Sequence, residues 1–423
     1  MSPFSAQNLL KKINLYNLAL LLIGVFTILK IANITQSTHY HSDEYFSILL
    51  VNSYKPIDYF KFNTDVGNPP FYYLMLDNYL SFFPTKNEFV SRSLSIIFLI
   101  VSLFFVIKIA DNIFKSKLNK LALFTLFSTS GTVINYYTLA RPYPLYLTIF
   151  IIIIFLFTKK RTNKINSMFI IMLILGMFTH YVFFVISICF LIYFILQKNL
   201  KMTLAIGASF LISFGLNAKY VYLSLFDKNN QYAFDQFQVQ TMSLLEPIRA
   251  AWFRGFVSYQ IIAILLIILF FYLLKNIKHS NINSINYSII NITIISYLAF
   301  FIPPLSRIFP SLTYKLSLIF LLQIVLINLF DSLPNFKSKK IIVGLYIVWL
   351  IFTSPLKRFD VFQPEIDDLS MKLDAMKASQ EVPWVITQKC FVNMVPYFKY
   401  YLPKNQFKCL DNQTTLVTPI IQQ

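Results

Sequence analysis

Charged residues are scarce in this chain of 423 residues: they make up 13%, about half the share in an ordinary soluble domain. So few charges could not cover the surface of a soluble protein of this size. Glycine is also rare, with eight residues, and the sequence contains no glycine-rich phosphate loop. These shortages exclude a soluble globular enzyme, a disordered chain and a fibrous repeat.

What the chain has instead is apolar runs, since 57% of its residues are hydrophobic and 17% are aromatic. A membrane-spanning helix needs about 20 mostly apolar residues. The runs therefore predict an all-α polytopic membrane protein with eleven spans. They are 13–33, 89–109, 119–139, 143–158, 165–181, 182–197, 202–224, 256–274, 285–303, 311–330 and 341–354.

The charge distribution predicts the orientation of these spans. The net charge is +19, but the lysines and arginines lie in short clusters between apolar runs, which indicates membrane topology rather than nucleic-acid binding. With the N-terminus in the cytoplasm, the inner segments hold 17 of the 37 basic residues and only two acidic ones, Asp111 and Asp331. We therefore predict an inner (plasma) membrane protein with a cytoplasmic N-terminus and an extracytoplasmic C-terminus.

This topology divides the chain into two predicted domains. Residues 1–354 form a transmembrane module with a long first outer loop, 34–88, and residues 355–423 form a small extracytoplasmic α/β domain. In the tail the pattern predicts helices at 364–379 and 392–402 and strands at 382–387 and 415–419. Cys390 and Cys409 would face an oxidising compartment, where a disulfide could form, but the sequence does not decide whether they pair.

The first outer loop holds two adjacent carboxylates just above the first span. Ser42 is a good N-cap, so Asp43 and Glu44 would occupy the first turn of an interfacial helix. A carboxylate there could take the proton of a hydroxyl acceptor, and a pair could hold a divalent cation. The same pattern also fits a solvated helix start without chemistry, and it permits a metal without demanding one.

The same loop continues with Asp65-Val-Gly-Asn68-Pro-Pro-Phe71-Tyr-Tyr. The two prolines predict a turn that leads into a second interfacial helix at 70–83. This stretch can line a site, or it can be an ordinary junction between a loop and a helix.

Several cations are predicted to lie near the outer boundary. Arg141 ends the hairpin between the third and fourth spans, where it either binds a phosphate or extends to lipid headgroups. Lys315 falls inside an apolar run, so it should face a polar cavity or an anion, and Arg307 lies close to it in sequence. His180 and Tyr181 mark the next outer hairpin, although a lone histidine there is more often a satisfied interfacial residue than a catalyst.

These motifs, taken in order, resemble a known family. An Asp-Glu pair after the first span, Pro-Pro-Phe-Tyr-Tyr, Ala-Arg-Pro-Tyr at 140–143 and Thr-His-Tyr at 179–181 are similar to GT-C glycosyltransferases. The likeness is to the protein O-mannosyltransferase and lipid A aminoarabinose transferase group, glycosyltransferase family 39 and its relatives. The motifs are short, so the resemblance rests on their combination over roughly residues 10–320.

The resemblance implies an inverting transfer of one sugar from a polyprenyl-phosphate donor at the outer face. It implies that Asp43 is the general base or orients the acceptor, with Glu44 beside it, and that Arg141 lies near the donor phosphate. It also implies that Tyr143 and His180 line the cavity. Many relatives have histidine where this chain has Asn68, which puts a role for that position in doubt. The sugar, the acceptor (protein, lipid A, wall polymer or glycolipid) and the oligomeric state are not readable from the sequence.

Three other functions compete with this interpretation. A transporter or flippase of lipid-linked glycans would show two similar halves and charges at mid-membrane, neither of which the sequence has. A polysaccharide polymerase or ligase would favour large outer loops later in the chain. A structural subunit would leave the Asp43-Glu44 pair unexplained.

Overall fold

The computed structural model describes most of the chain as a helical bundle. The described residues are 14–38, 42–53, 69–84, 87–226, 246–248, 251, 284–301, 315–332, 337–354, 384–386, 407–409 and 417–419. The first ten helices are α1 Leu15–Ser37, α2 Ser42–Ser53, α3 Phe71–Leu80, α4 Glu88–Ile113, α5 Lys117–Ser128, α6 Gly131–Tyr137, α7 Pro142–Phe157, α8 Asn163–Met177, α9 Val182–Leu196 and α10 Leu200–Phe226. After a three-residue helical turn, Glu246–Ile248, come α11 Ser284–Phe301, α12 Leu316–Ser332 and α13 Lys337–Phe352.

The prediction of an all-α polytopic membrane fold is confirmed. Every predicted span coincides with a described helix or helix pair except 256–274, which lies outside the described residues. Within the described part, α1, α4 and the 200–218 part of α10 are long and apolar enough to cross a membrane, by length and composition. Six helices of 10–17 residues are apolar but shorter.

One predicted span differs from the structure. The run 119–139 was expected to form one helix, but the chain forms α5 and α6 with a break at Thr129-Ser130. The Thr129 hydroxyl donates to the Thr125 carbonyl at 2.6 Å, and Ser130 has an extended backbone. Hydroxyl side chains compete in this way for helix hydrogen bonds, and the Ser-Thr-Ser-Gly sequence at 128–131 supplies them at the break.

The core of the bundle is built around α4, which packs against α1, α5 and α7. α4 begins where the Asn87 side chain accepts a hydrogen bond from the Val90 amide at 2.9 Å. Deeper in the bundle, Ser102 of α4 hydrogen-bonds to Tyr137 (2.6 Å) and Thr148 (2.8 Å), which satisfies three buried hydroxyls together.

The first outer loop contains two short helices, as the sequence predicted. α2 begins at Ser42, and α3 covers Phe71–Leu80 of the predicted 70–83. The Phe71 amide donates to the Phe178 carbonyl at 3.1 Å, so α3 is joined to the turn between α8 and α9. This turn, Phe178–Tyr181, carries the predicted outer hairpin, and it begins directly after α8, although the fifth span was predicted to continue to residue 181.

The described part of the C-terminal tail is a small mixed sheet. The strands are β1 Trp384–Ile386, β2 Phe407–Cys409 and β3 Val417–Pro419. β1 is central, parallel to β2 and antiparallel to β3. β1 and β3 fall inside the predicted strands 382–387 and 415–419, while β2 was not predicted. The predicted tail helices and Cys390 lie outside the described residues, so the disulfide and the domain boundary at 354 stay predictions.

Candidate active site

Polar and charged side chains gather at one end of the bundle. The ends of α1, α8 and α11 and the starts of α2, α4, α7, α9 and α12 meet there. The predicted topology places this end at the outer face. Of the buried side chains that the structure describes, three are cations, Arg92, Arg141 and Lys315, and one is a carboxylate, Glu44. The described part of this end therefore carries an excess of buried positive charge.

Glu44 and Arg92 form a fully buried ion pair, although Arg92 was not among the site residues predicted from the sequence. The Arg92 guanidinium donates through Nε and Nη2 to the two Glu44 carboxylate oxygens, at 2.8 and 2.9 Å. Its Nη1 donates to the Thr35 carbonyl at 3.0 Å and to the Thr38 carbonyl at 2.6 Å. Glu44 also accepts a hydrogen bond from the Ala140 amide at 2.8 Å. The pair thus ties α2 to α1, α4 and the turn before α7.

A sequence signal for Arg92 did exist. An arginine inside an apolar run is costly in a membrane unless it meets an opposite charge or faces a polar cavity. Arg92 lies inside the predicted span 89–109, just as Lys315 lies inside the predicted span 311–330. The carboxylate that satisfies Arg92 is 48 residues away in sequence, so its identity needed the tertiary structure.

Asp43 immediately precedes this ion pair. Its backbone lies in the first turn of α2, one residue before Glu44. The Asp43 side chain and all of Asp65, Asn68 and Arg307 lie outside the described residues. The helical turn that carries Asp43 is anchored by the ion pair between Glu44 and Arg92.

Arg141 is buried at the start of α7. Its backbone is extended, as expected before a proline, and Pro142 starts the helix. The side chain is 5% exposed, so it lies inside the protein and is not extended to lipid headgroups. One guanidinium nitrogen, Nη1, donates to the Ser47 hydroxyl of α2 at 3.2 Å, and the guanidinium carbon is 5.9 Å from the Tyr143 ring centre. Arg141 therefore contacts the helix that carries Asp43 and Glu44.

His180 lies inside a cluster of aromatic rings. Its ring centre is 5.6 Å from that of Tyr143 and 5.2 Å from that of Tyr146. The Nδ1 atom accepts a hydrogen bond from the Val182 amide at 3.2 Å, at the start of α9. Burial, with a contribution from the Arg141 charge, lowers the pKa of His180 to about 3, so the imidazole is neutral near pH 7. Tyr181, by contrast, stacks on Phe184.

Lys315 lies immediately before α12, and its side chain is 1% exposed. Its ammonium nitrogen is 5.0 Å from the centre of the Phe301 ring at the end of α11. Two residues later, the Ser317 hydroxyl accepts a hydrogen bond from the Tyr146 hydroxyl at 2.8 Å. The same Tyr146 oxygen accepts from the Ser317 amide at 3.3 Å. Tyr146 thus joins the first turn of α12 to the His180 cluster.

The adjacent carboxylates of Asp43 and Glu44 permit a metal site in the sequence but do not demand one. Among the residues that the structure describes, no three His, Cys, Asp or Glu side chains converge on one point. Both Glu44 oxygens are already bonded to Arg92.

Comparison with known proteins gives one informative result. No family model and no curated protein matches the chain. Among solved structures, it is similar to ArnT from Cupriavidus metallidurans bound to undecaprenyl phosphate, with a TM-score of 0.54 at 10% sequence identity. The match covers 96% of this chain and 86% of that one. At this identity the likeness concerns the fold, and it confirms the GT-C fold that the sequence resemblance implied.

Proposed function

We propose that this protein is an integral-membrane glycosyltransferase that moves a sugar from a polyprenyl-phosphate-linked donor to an acceptor at the outer face of the membrane. The observation that carries the proposal is the buried positive charge of Arg141 and Lys315 at one end of the bundle. It is supported by the fold shared with a protein that was solved with undecaprenyl phosphate bound.

The donor phosphate is proposed to bind between Arg141 and Lys315, with Arg307 as a third cation. A guanidinium matches the oxygens of a phosphate with paired hydrogen bonds, and a buried ammonium adds a point charge. Both side chains are almost fully buried, so a bound phosphate would be shielded from water there. Such shielding strengthens the attraction between the ions. Tyr143, His180 and Tyr181, with Asp65 and Asn68 of the first loop, are proposed to line the cavity around the sugar.

Asp43 is proposed to act on the acceptor. Its carboxylate would take the proton of the acceptor hydroxyl while the acceptor oxygen bonds to C1 of the sugar. The bond between C1 and the phosphate oxygen breaks, and polyprenyl phosphate leaves with the electron pair. Attack opposite to the leaving group inverts the configuration at C1. Since the phosphate is already a good leaving group, a divalent cation is not needed for this scheme.

Glu44 is given a different role from the catalytic one that the sequence suggested. Both of its oxygens are bonded to Arg92, and one also accepts from the Ala140 amide. These bonds occupy the carboxylate, so we assign Glu44 as a positioning residue. It holds the first turn of α2 in place, and with it the backbone of Asp43.

The proposal is tested by donor turnover. We expect purified wild-type protein, given a lipid extract from its source membranes, to convert a polyprenyl-phosphate sugar to polyprenyl phosphate, which mass spectrometry can quantify. Asp43→Asn should lower that rate at least about 100-fold, the usual contribution of a general base. Asp77→Asn, which changes a carboxylate on α3 in the same loop, is the matched control and should turn over normally.

Two results would contradict the proposal. Normal turnover by folded Asp43→Asn protein would remove the general-base assignment. Absence of turnover by the wild type, together with movement of intact lipid-linked glycan across proteoliposome membranes, would instead establish a flippase.

A further inference from the structure

A groove lies at the opposite end of the bundle from the candidate active site. It has a cavity volume of about 530 Å³ and runs between the first turns of α8 and α10. α8 leads from the polar end of this groove to the Phe178–Tyr181 turn, so that end and the candidate active site are separated by the length of the helix, 15 residues or about 22 Å. The groove is lined by Asn163, Asn166, Ser167, Ile170, Ile171, Lys201, Met202 and Ala205.

The lining of the groove changes character along its length. At the helix starts it is polar, where the Lys201 ammonium donates to the Asn163 side-chain oxygen at 3.0 Å. One to two turns further along it is apolar, with Ile170 and Ile171 opposite Ala205. Ile171 is 52% exposed, and the neighbouring Leu204 is 63% exposed. On a membrane-spanning helix, apolar side chains so exposed face acyl chains, so the apolar part of the groove opens toward lipid.

The two connections beside the groove carry charge of one sign. Two connections meet at its polar end, 158–162 before α8 and 197–199 before α10. These two connections and the first turns of the helices that follow them carry six cations. The sequence contains no Asp or Glu between Asp111 and Asp227. The cations are Lys159, Lys160, Arg161, Lys164, Lys198 and Lys201.

Arg161 is held rigidly beside the groove. Its guanidinium carbon lies 5.0–5.3 Å from the ring centres of Phe157, Phe169 and Phe194. Its Nη1 atom is 3.5 Å from the side-chain oxygen of Asn166, a lining residue. Burial lowers the pKa of Arg161 to about 10, so the side chain stays protonated at neutral pH. A fixed positive charge therefore faces the amide that lines the polar end.

We propose that this groove binds an anionic glycerophospholipid of the adjacent leaflet. The headgroup phosphate would contact Lys201, Asn163, Asn166 and Ser167, and one acyl chain would follow Ile170 and Ile171. A free phosphate ion would leave the apolar part of the groove uncovered. A zwitterionic lipid has no net charge, so the excess of positive charge would not strengthen its binding. Each lysine or arginine near a membrane surface contributes about 1 kcal/mol to binding an anionic lipid.

The test is native mass spectrometry of the detergent-purified full chain with added phosphatidylglycerol or phosphatidylcholine of identical acyl chains. We expect the apparent affinity for phosphatidylglycerol to exceed that for phosphatidylcholine, and Lys201→Gln to lower it about fivefold. Ala205→Phe, which fills the groove without changing any charge, should lower it as well. Lys117→Gln is the control, because it removes an exposed lysine at the start of α5, away from the groove.

Equal affinity for the two lipids would overturn the proposal. So would equal losses in Lys201→Gln and Lys117→Gln, because these would indicate general surface charge. Because Lys201 and Lys117 are both exposed, neither substitution removes a core contact, and unchanged thermal unfolding would show that the variants are folded.

Discussion

At the scale of single residues, the ion pair between Glu44 and Arg92 joins helices that are distant in sequence. Both side chains are fully buried. Removing two charges from water is costly, and a buried pair offsets that cost only when its hydrogen bonds are complete. Here Arg92 also donates to Thr35 and Thr38, and Glu44 accepts from Ala140, so the pair is well satisfied.

We expect Arg92→Leu to destabilise the protein by about 3–5 kcal/mol, because it leaves the Glu44 carboxylate buried without its partner. The measurement is unfolding in detergent, followed by intrinsic fluorescence. Replacing both partners, Glu44→Met with Arg92→Leu, should restore most of the lost stability. An Arg92→Leu single variant as stable as the wild type would show that the pair contributes nothing.

A substitution at Tyr146 tests whether this residue positions Lys315 for donor binding or only packs in the core. Its hydroxyl holds Ser317, two residues after Lys315, so Tyr146→Phe should loosen Lys315 and raise the apparent donor KM several-fold. Tyr137→Phe removes another buried hydroxyl, one bonded to Ser102 and Thr148, and should leave the donor KM unchanged. Each change should cost about 1 kcal/mol of stability.

Equal donor KM values for these two tyrosine variants would reject the positioning role. Arg141→Gln provides the scale for the comparison, since losing a direct phosphate contact should raise the donor KM more than losing a positioning contact.

At the scale of secondary-structure elements, the α8–α9 hairpin depends on a glycine. Gly176, in the last turn of α8, is buried, and a Cβ atom at that position would overlap the Phe183 ring of α9. The Phe183 ring is itself fully buried and packs edge-on against Tyr146. A side chain at 176 would therefore push on the aromatic cluster around His180.

We expect Gly176→Ala to destabilise the protein by about 1–3 kcal/mol, as overpacking of a tight core does. Thermal unfolding in detergent measures the loss. Gly207→Ala on α10 is the matched control, because a Cβ atom there meets nothing within 4 Å and alanine favours helix. If Gly176→Ala unfolded at the wild-type temperature, the close approach to Phe183 would not limit this hairpin.

At the scale of the whole molecule, contacts between distant helices agree with the predicted order of crossings. The Lys30 ammonium donates to the Ser354 hydroxyl at 2.7 Å, and that hydroxyl donates to the Thr129 carbonyl at 3.4 Å. Lys30 lies in the second half of α1, and Ser354 and Thr129 follow the last residues of α13 and α5, so the ends of α13 and α5 lie beside the second half of α1. The predicted topology, in which the first, third and last spans run outward, is compatible with this contact.

The absolute orientation stays a prediction, and labelling can test it. In a chain with all three native cysteines replaced, Phe82→Cys should react with a membrane-impermeant maleimide in intact cells. Phe82 is 80% exposed and follows α3 in the first outer loop. Lys160→Cys, between α7 and α8, should react only after the cells are permeabilised. The reverse pattern would place the candidate active site in the cytoplasm.

The sequence by itself determined where most of the described helices are. In a bilayer every backbone polar group must be bonded within its own helix, so a long apolar run is sufficient to place a span. The motifs at Asp43, Arg141 and His180 stand next to the ends of apolar runs, and together with Lys315 they indicated which end of the bundle carries the polar site. Even the break between α5 and α6 has a local cause that the hydroxyl-rich sequence shows.

Only the tertiary structure decided which of these side chains meet. Glu44 was expected to share chemistry with Asp43, but it is bonded to Arg92, which belongs to a helix 48 residues further along the chain. For Arg141 and His180 the sequence left open whether the side chains extend to the interface or line an inner site, and the structure shows that both are buried. Such pairings depend on the packing of helices that are distant in sequence, and hydropathy along the chain carries no information about them.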